Sequence, residues 1–274
     1  MFETISLFRE ALYGALIIGV GCAVLGVYVV LRRIVFVGAA LAQLSSAGIA
    51  LAIWLGGLGL FGTNHAYTIG MSLVVTLAGA LFFGAGGGRR FLHHDAGIGV
   101  TYAVAAALGI LLIAKAASGE AHDIFLQGNI LGITRHETLE LLAVIGPVLV
   151  LHFALAKEFT FVSFDPETAQ TMGYRVTRWN LLLYLTIGVV IAFAMQSAGV
   201  LLVFNFLVLP AVTGLLLARS MHGAFGYSIA SAVLASVVGF SLSIPLDLPT
   251  GPTIIAISGL VALVAWWVRR TRGE

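Results

Sequence analysis

The stretch Ala11-Leu-Tyr-Gly-Ala-Leu-Ile-Ile-Gly-Val-Gly-Cys-Ala-Val-Leu-Gly-Val-Tyr-Val-Val-Leu31 carries no charge, and Arg32 and Arg33 follow it at once. A helix needs about 20 such residues to cross the hydrocarbon core of a bilayer. Working outward, further apolar runs occur at Val35–Leu58, Ala66–Gly86, Ala96–Ala114, Thr138–Ala156, Trp179–Gln196, Val200–Leu217, Gly223–Ile244 and Pro252–Val268. Nine spans of roughly 20 residues use about 180 positions of 274, which leaves short loops and no room for a soluble domain. The chain therefore reads as one transmembrane domain over residues 1–274: an all-α, polytopic helix bundle of eight or nine spans. The count turns on Gln196–Gly199, a connection too short for anything but a tight hairpin.

Composition agrees. Hydrophobic residues make up 60% and charged residues 9%, against about 25% charged in soluble domains, and the mean hydropathy is +1.06. This excludes a soluble globule, a disordered tail and a coiled coil. The net charge of +2 is spread between apolar runs rather than gathered in one patch, which argues against nucleic acid as a partner. Cys22 stands alone inside the first run, so no internal disulfide can form.

The basic residues give an orientation. Arg32 and Arg33, Arg89 and Arg90, Lys157 with Arg175 and Arg178, Arg219, and Arg269, Arg270 and Arg272 fall on alternate loops. Placing those loops inside puts 11 of 14 basic residues in the cytoplasm, with the N-terminus outside and the C-terminus inside. The first run has no small-residue cleavage site before Arg32–Arg33 and is expected to be a retained helix in the cell membrane. Small residues at four-residue spacing, Gly48, Ala52 and Gly56 and again Ser228, Ala232 and Ser236, suit close packing of helices inside the bundle.

The middle of each expected span lacks acidic residues and lysine, so an ion-coupled relay is poorly supported. The two lysines, Lys115 and Lys157, follow no phosphate-binding glycine loop. The chain is thus expected to bind no cofactor and to be no enzyme; another subunit must supply the work. The segment Lys157–Arg178 could receive it. Ser163 or Asp165 can cap a short helix that starts at Pro166 and Glu167, and Gly173 can stop it.

These segments resemble a known family. Val30-Leu-Arg-Arg-Ile-Val-Phe-Val-Gly38 with Ala40-Leu-Ala42 and Gly48-Ile-Ala-Leu51, then Asp95-Ala-Gly-Ile-Gly99, Asp165-Pro-Glu167 with Met172-Gly173, Gln196-Ser-Ala-Gly-Val-Leu-Leu202 with Leu209-Pro-Ala211, and Asp247-Leu-Pro-Thr-Gly-Pro-Thr253 are similar, in order, to signatures of the metal-type ABC importer permeases. The resemblance implies a transmembrane subunit of an ATP-driven importer of zinc, manganese or iron. It further implies a second permease copy, cytoplasmic ATPase subunits that bind ATP and magnesium, and an extracytoplasmic solute-binding protein. Asp165, Pro166, Glu167, Met172 and Gly173 would form the helix coupled to the ATPase.

One departure bears on cargo. Where the family usually has an Asp and a His four residues apart on one helix face, this chain has Ala39 and Gln43. A methyl and a neutral amide cannot replace a carboxylate and an imidazole as ligands. Either a bare divalent metal passes Gln43, Ser45, Ser46, Asn205 and backbone carbonyls without strong ligands, or the cargo is a metal chelate or other small solute. Acidic and imidazole groups for an attracting outer mouth are His65, His122, Asp123 and Asp247, with Glu120, His136 and Glu137 near them.

Overall fold

The computed structural model describes residues 9–59, 64–86, 94–115 and 130–271. Helices α1 (Arg9–Leu31), α2 (Val35–Gly57), α3 (His65–Gly84) and α4 (His94–Lys115) come first, and a 3-10 turn at Ile130–Gly132 leads into α5 (Arg135–Ala154). Two short helices follow, α6 (Ala156–Phe164) and α7 (Pro166–Thr171), then α8 (Val176–Leu217), α9 (Met221–Ser243) and α10 (Thr250–Thr271). Strands are absent among the described residues. Eight of these helices are long and apolar enough to cross a membrane. In lipid this is the economical solution, because a helix satisfies its own backbone groups.

Polar residues start the helices where the sequence offers them. Asn64 accepts a hydrogen bond from the Tyr67 amide at 3.0 Å, and Ser220 accepts one from the Gly223 amide at 3.2 Å. Thr134 and Glu137 form a reciprocal box at the start of α5: the Thr134 amide donates to Glu137 Oε2 at 2.7 Å, and the Glu137 amide donates to Thr134 Oγ1 at 3.3 Å.

The 42-residue helix α8 holds two spans. At its start, Asn180 accepts a hydrogen bond from Arg32, just past the end of α1. Further along, Phe206 lies against Gly19, and then Leu207 and Ala211 lie against Gly26, which is nearer to Arg32 again. The chain has therefore reversed direction between residues 180 and 206. The reversal is at Gly199, whose φ of 73° and ψ of 168° belong to a region open essentially to glycine alone. Residues 176–198 and 200–217 are thus two antiparallel arms. Counted separately, the two arms make nine apolar helical segments among the described residues, in line with the hairpin reading of Gln196–Gly199.

Around this hairpin the packing is tight. Helix α1 is buried over most of its surface and touches α5, α8 and α9, whereas α4, α5 and α10 bury one stripe and leave residues such as Leu111, Val150 and Leu263 for lipid. A β-carbon on Gly26 would fall 2.0 Å from the Leu207 carbonyl oxygen, and one on Gly214 would fall 2.4 Å from that of Ala224. The expected small-residue ridges do serve the bundle. Gly48 lies against Ser72 of α3, and Ser228 donates a hydrogen bond to the Ala23 carbonyl at 3.1 Å.

The tryptophans divide. Trp266 and Trp267 are exposed at the end of α10, with the Arg270 guanidinium 5.6 Å from the Trp266 ring, and suit interfacial anchoring. Trp179 instead packs edge-on to Phe159 at 5.1 Å.

Candidate functional site

The α6–α7 segment sits at the end of the bundle that also holds Arg32, Arg33, Arg175, Arg178, Arg219, Arg269 and Arg270. The sequence reading expects one short capped helix here; the structure has two, because Ala156–Phe164 buries Phe159 and Val162 against the bundle before the chain leaves it. Helix α7 is built as its sequence dictates. Asp165, rather than Ser163, is the cap and accepts from the Thr168 amide at 2.9 Å. Its carboxyl is held below its usual pKa by hydrogen bonds from Thr168. Pro166 takes the first helical position and Glu167 the first turn, where the helix dipole favours an anion.

The other end of α7 closes with a left-handed glycine. Gly173 has φ 91°, the Tyr174 amide donates to the Ala169 carbonyl at 3.0 Å, and the Gly173 amide donates to Gln170 at 3.1 Å. This double closure fixes the end of a helix too short to persist alone. Ala169 is buried while Met172 is 67% exposed, so an apolar side chain stands open to its surroundings at the tip. Beside it opens a groove of about 520 Å³ lined by Met172, Tyr174, Arg175, Arg178 and Trp179.

Arg32 ties this segment to the spans. Its Nε donates to Ser163 Oγ of α6 at 2.7 Å, and its Nη1 donates to Asn180 Oδ1 at the start of α8. Because Arg32 stands in the turn between α1 and α2, one side chain links four helices. Sequence reasoning placed Arg32 among the orientation-setting arginines and missed this role; its partners are 131 and 148 residues away.

The stripe on α2 is the second element. Leu41 and Leu44 approach Gly79, Ser45 Oγ lies 2.7 Å from Ser72 Oγ, and Gly48 meets Ser72, so that face belongs to α3. Ala39, Gln43 and Ser46 follow at spacings of four and three residues on the opposite face. Gln43 and Ser46 are buried, and Ser46 Oγ has no hydrogen-bond partner among the described residues. Ser45 is thus separated from its expected companions and is a packing residue. Asn205 is buried on the second arm of α8, where its Nδ2 donates to Ser258 of α10 at 3.1 Å and its Oδ1 has no partner among the described residues.

At the opposite end, His65 of α3 lies 3.3 Å from Glu140 Oε2, and His136 lies 3.4 Å from Glu140 Oε1. Two imidazoles thus share one carboxylate, a pairing the sequence reading did not foresee because Glu140 falls inside an expected span. Each histidine addresses a different oxygen, and no group of three or more such residues among the described ones converges as metal ligands would. Asp247 occupies a left-handed turn, φ 50°, between α9 and α10. His122, Asp123 and Glu120 lie outside the described residues, as do Arg89 and Arg90. His152, buried on α5, is structural: its Nδ1 is 3.0 Å from the Val148 carbonyl, its Nε2 is 3.4 Å from Thr186 Oγ1, and its ring stacks on Phe159.

Among the described residues, nine apolar helical segments, a buried neutral polar stripe and a capped segment at the arginine-rich end fit one class, the α-helical transport permeases. The chain belongs to the ABC 3 transport family, whose family model matches residues 4–269. It is 31% identical over 263 residues to the manganese import system permease protein ScaB of Streptococcus gordonii, covering 95% of this chain and 90% of that one. Its identity to the chelated iron transport system membrane protein YfeD of Yersinia pestis is 28% over 262 residues, covering 94% and 84%. Among solved structures it resembles PsaBC from Streptococcus pneumoniae in complex with Fab, with a TM-score of 0.84 and 26% identity over 97% of this chain and 94% of that one.

Proposed function

We propose that this chain is the membrane subunit of an ATP-driven importer of a divalent transition metal, with manganese or iron as the first candidates. The observation that carries the reading is the α6–α7 segment, an end-stopped helix with an exposed Met172 that is pinned to three spans by Arg32. An ATPase subunit that closes and opens on α7 would push on Arg32 and hence on the α1–α2 turn, from which the Gln43 stripe rises. Alternating access then needs no titratable relay inside the bundle. The working unit would contain two copies of this permease, two cytoplasmic ATPases holding ATP and magnesium, and an extracytoplasmic binding protein that delivers the metal.

In this reading the α7 end is cytoplasmic, since most basic residues gather there, and the end with His65, Glu140 and Asp247 faces outward. The N-terminus is then outside and the C-terminus inside the cell membrane. Metal would meet the acidic and imidazole mouth first, then pass the neutral oxygens of Gln43, Ser46 and Asn205. Oxygen ligands without thiolate or imidazole suit manganese better than zinc.

The test is co-purification with the ATPase subunit and uptake of radioactive manganese, iron and zinc into reconstituted vesicles. Uptake that needs ATP, the ATPase and the binding protein supports the reading. Accumulation by the permease alone refutes it. A second reading, carriage of a metal chelate, is favoured by Ala39 and Gln43 in place of the usual ligands; it requires that the binding protein retain no bare ion.

A further inference from the structure

A cleft of about 730 Å³ opens between α1, α5, α6 and α9, at the arginine-rich end of the bundle and apart from the α2 stripe. Its volume is that of a small-molecule pocket. Its walls are apolar and aromatic, with Phe153, Phe161, Phe164 and Phe225 among them, and its floor is Val24 and Tyr28 of the buried α1. On α6, Lys157, Thr160, Phe161 and Phe164 all line it, spaced so that they form one helix face. Of this face, Phe161 packs edge-on to Tyr174 at 5.6 Å and Thr160 meets Tyr28 on the cleft floor, while Phe159 and Val162 point into the bundle.

The cleft is graded along the membrane normal. Lys157 begins α6 and His222 begins α9, both at the rim, whereas Val24, Phe153 and Ile229 lie one to two helical turns deeper. Neither Lys157 nor His222 has a hydrogen-bond or ion-pair partner among the described residues. Two unpaired basic groups over a deep apolar slot match an amphipathic anion. A helix from a second copy, apolar along its length, would leave both groups uncompensated in the interface, and a soluble anion would not use the slot.

We infer that this cleft is a binding site for an anionic phospholipid, with the phosphate on Lys157 and His222 and one acyl chain in the slot above Tyr28. Because α6 lines the cleft and also accepts the Arg32 hydrogen bond through Ser163, the lipid would brace the segment that leads into α7. The inference draws on the proposed orientation only for the leaflet that supplies the lipid.

The experiment places the full-length chain in nanodiscs of phosphatidylcholine and phosphatidylglycerol in equal parts, and native mass spectrometry counts the lipids retained on release. The wild type should keep phosphatidylglycerol in preference. Lys157→Gln should lower its retention about fivefold, the effect of one basic residue at an anionic surface. Gly226→Trp should abolish retention: a β-carbon at Gly226 meets nothing within 4 Å, so the indole enters the slot without disturbing the helix. Arg270→Gln, at a distant site, should change nothing. Equal retention of both lipids, or phosphatidylglycerol binding that survives Gly226→Trp in a monodisperse protein, would overturn the inference. So would a Gly226→Trp variant that loses a dimer and keeps its lipid, since the cleft would then belong to a second copy. Transport is not part of the readout, so failure of the importer reading leaves this result intact, and the reverse.

Discussion

Gly26→Ala is the sharpest perturbation this structure offers. The added methyl would stand 2.0 Å from the Leu207 carbonyl oxygen and 2.9 Å from its carbon, so a backbone rather than a mobile side chain must yield. Separation must grow by more than 1 Å to reach ordinary van der Waals contact, and Leu207 is itself pressed on Gly38 of α2, so the second arm of α8 has no free direction in which to move. Overpacking of a tight core costs about 1–3 kcal/mol, and a backbone clash belongs at the upper end. At about 2–4 °C per kcal/mol, the melting temperature should fall by about 6–12 °C. The matched control is Gly226→Ala, where the methyl meets nothing and the better helix former should be neutral or slightly stabilising. Both variants would be followed by thermal unfolding in the same detergent, with fluorescence-detected size exclusion as the readout. If Gly26→Ala melts with the control, α1 and the second arm of α8 do not touch as described, and the reversal at Gly199 loses its main support.

Four further outcomes are expected. Gly199→Ala should cost about 1–3 kcal/mol through backbone strain alone, seen as a lower melting temperature without altered oligomeric state. Asp165→Ala should weaken ATPase stimulation by the loaded binding protein, whereas Asp165→Asn should largely keep it, since an amide oxygen also caps. The Asp165 carboxyl is depressed, so its contribution is present above the unfolded value of about 3.9 and lost only as pH falls through the lower folded value; coupling measured from about pH 5 to 8 should owe no slope to it. Arg32→Gln should leave the ATPase bound and yet uncouple hydrolysis from uptake; intact uptake would reject the linking role. Restoring an acid and an imidazole together, by Ala39→Asp with Gln43→His, should raise retention of zinc relative to manganese on the purified permease, and unchanged retention would remove the stripe from the pathway.

Much of the fold was legible because a bilayer simplifies the code. Length and hydropathy alone locate each crossing to within a few residues, as at α1, α2 and α9, since lipid leaves the backbone no other way to satisfy itself. The cap at Asp165 and the stop at Gly173 were legible for a local reason: both act within one or two turns of themselves. Arg32, by contrast, acts on residues more than a hundred positions away, and nothing in its immediate neighbours distinguishes it from Arg33, which takes a left-handed φ of 58° instead. The same limit hid the sharing of Glu140 by His65 and His136, because pairing across α3 and α5 depends on which faces meet. It also hid the split between Ser45 and Ser46, neighbours in sequence that serve opposite faces of α2.

The one-residue joint at Gly199 bears on how the protein is made. With no hydrophilic linker between residues 198 and 200, the first arm has nothing to carry across the bilayer ahead of the second. The two arms are therefore expected to enter the bilayer together, as one helical hairpin.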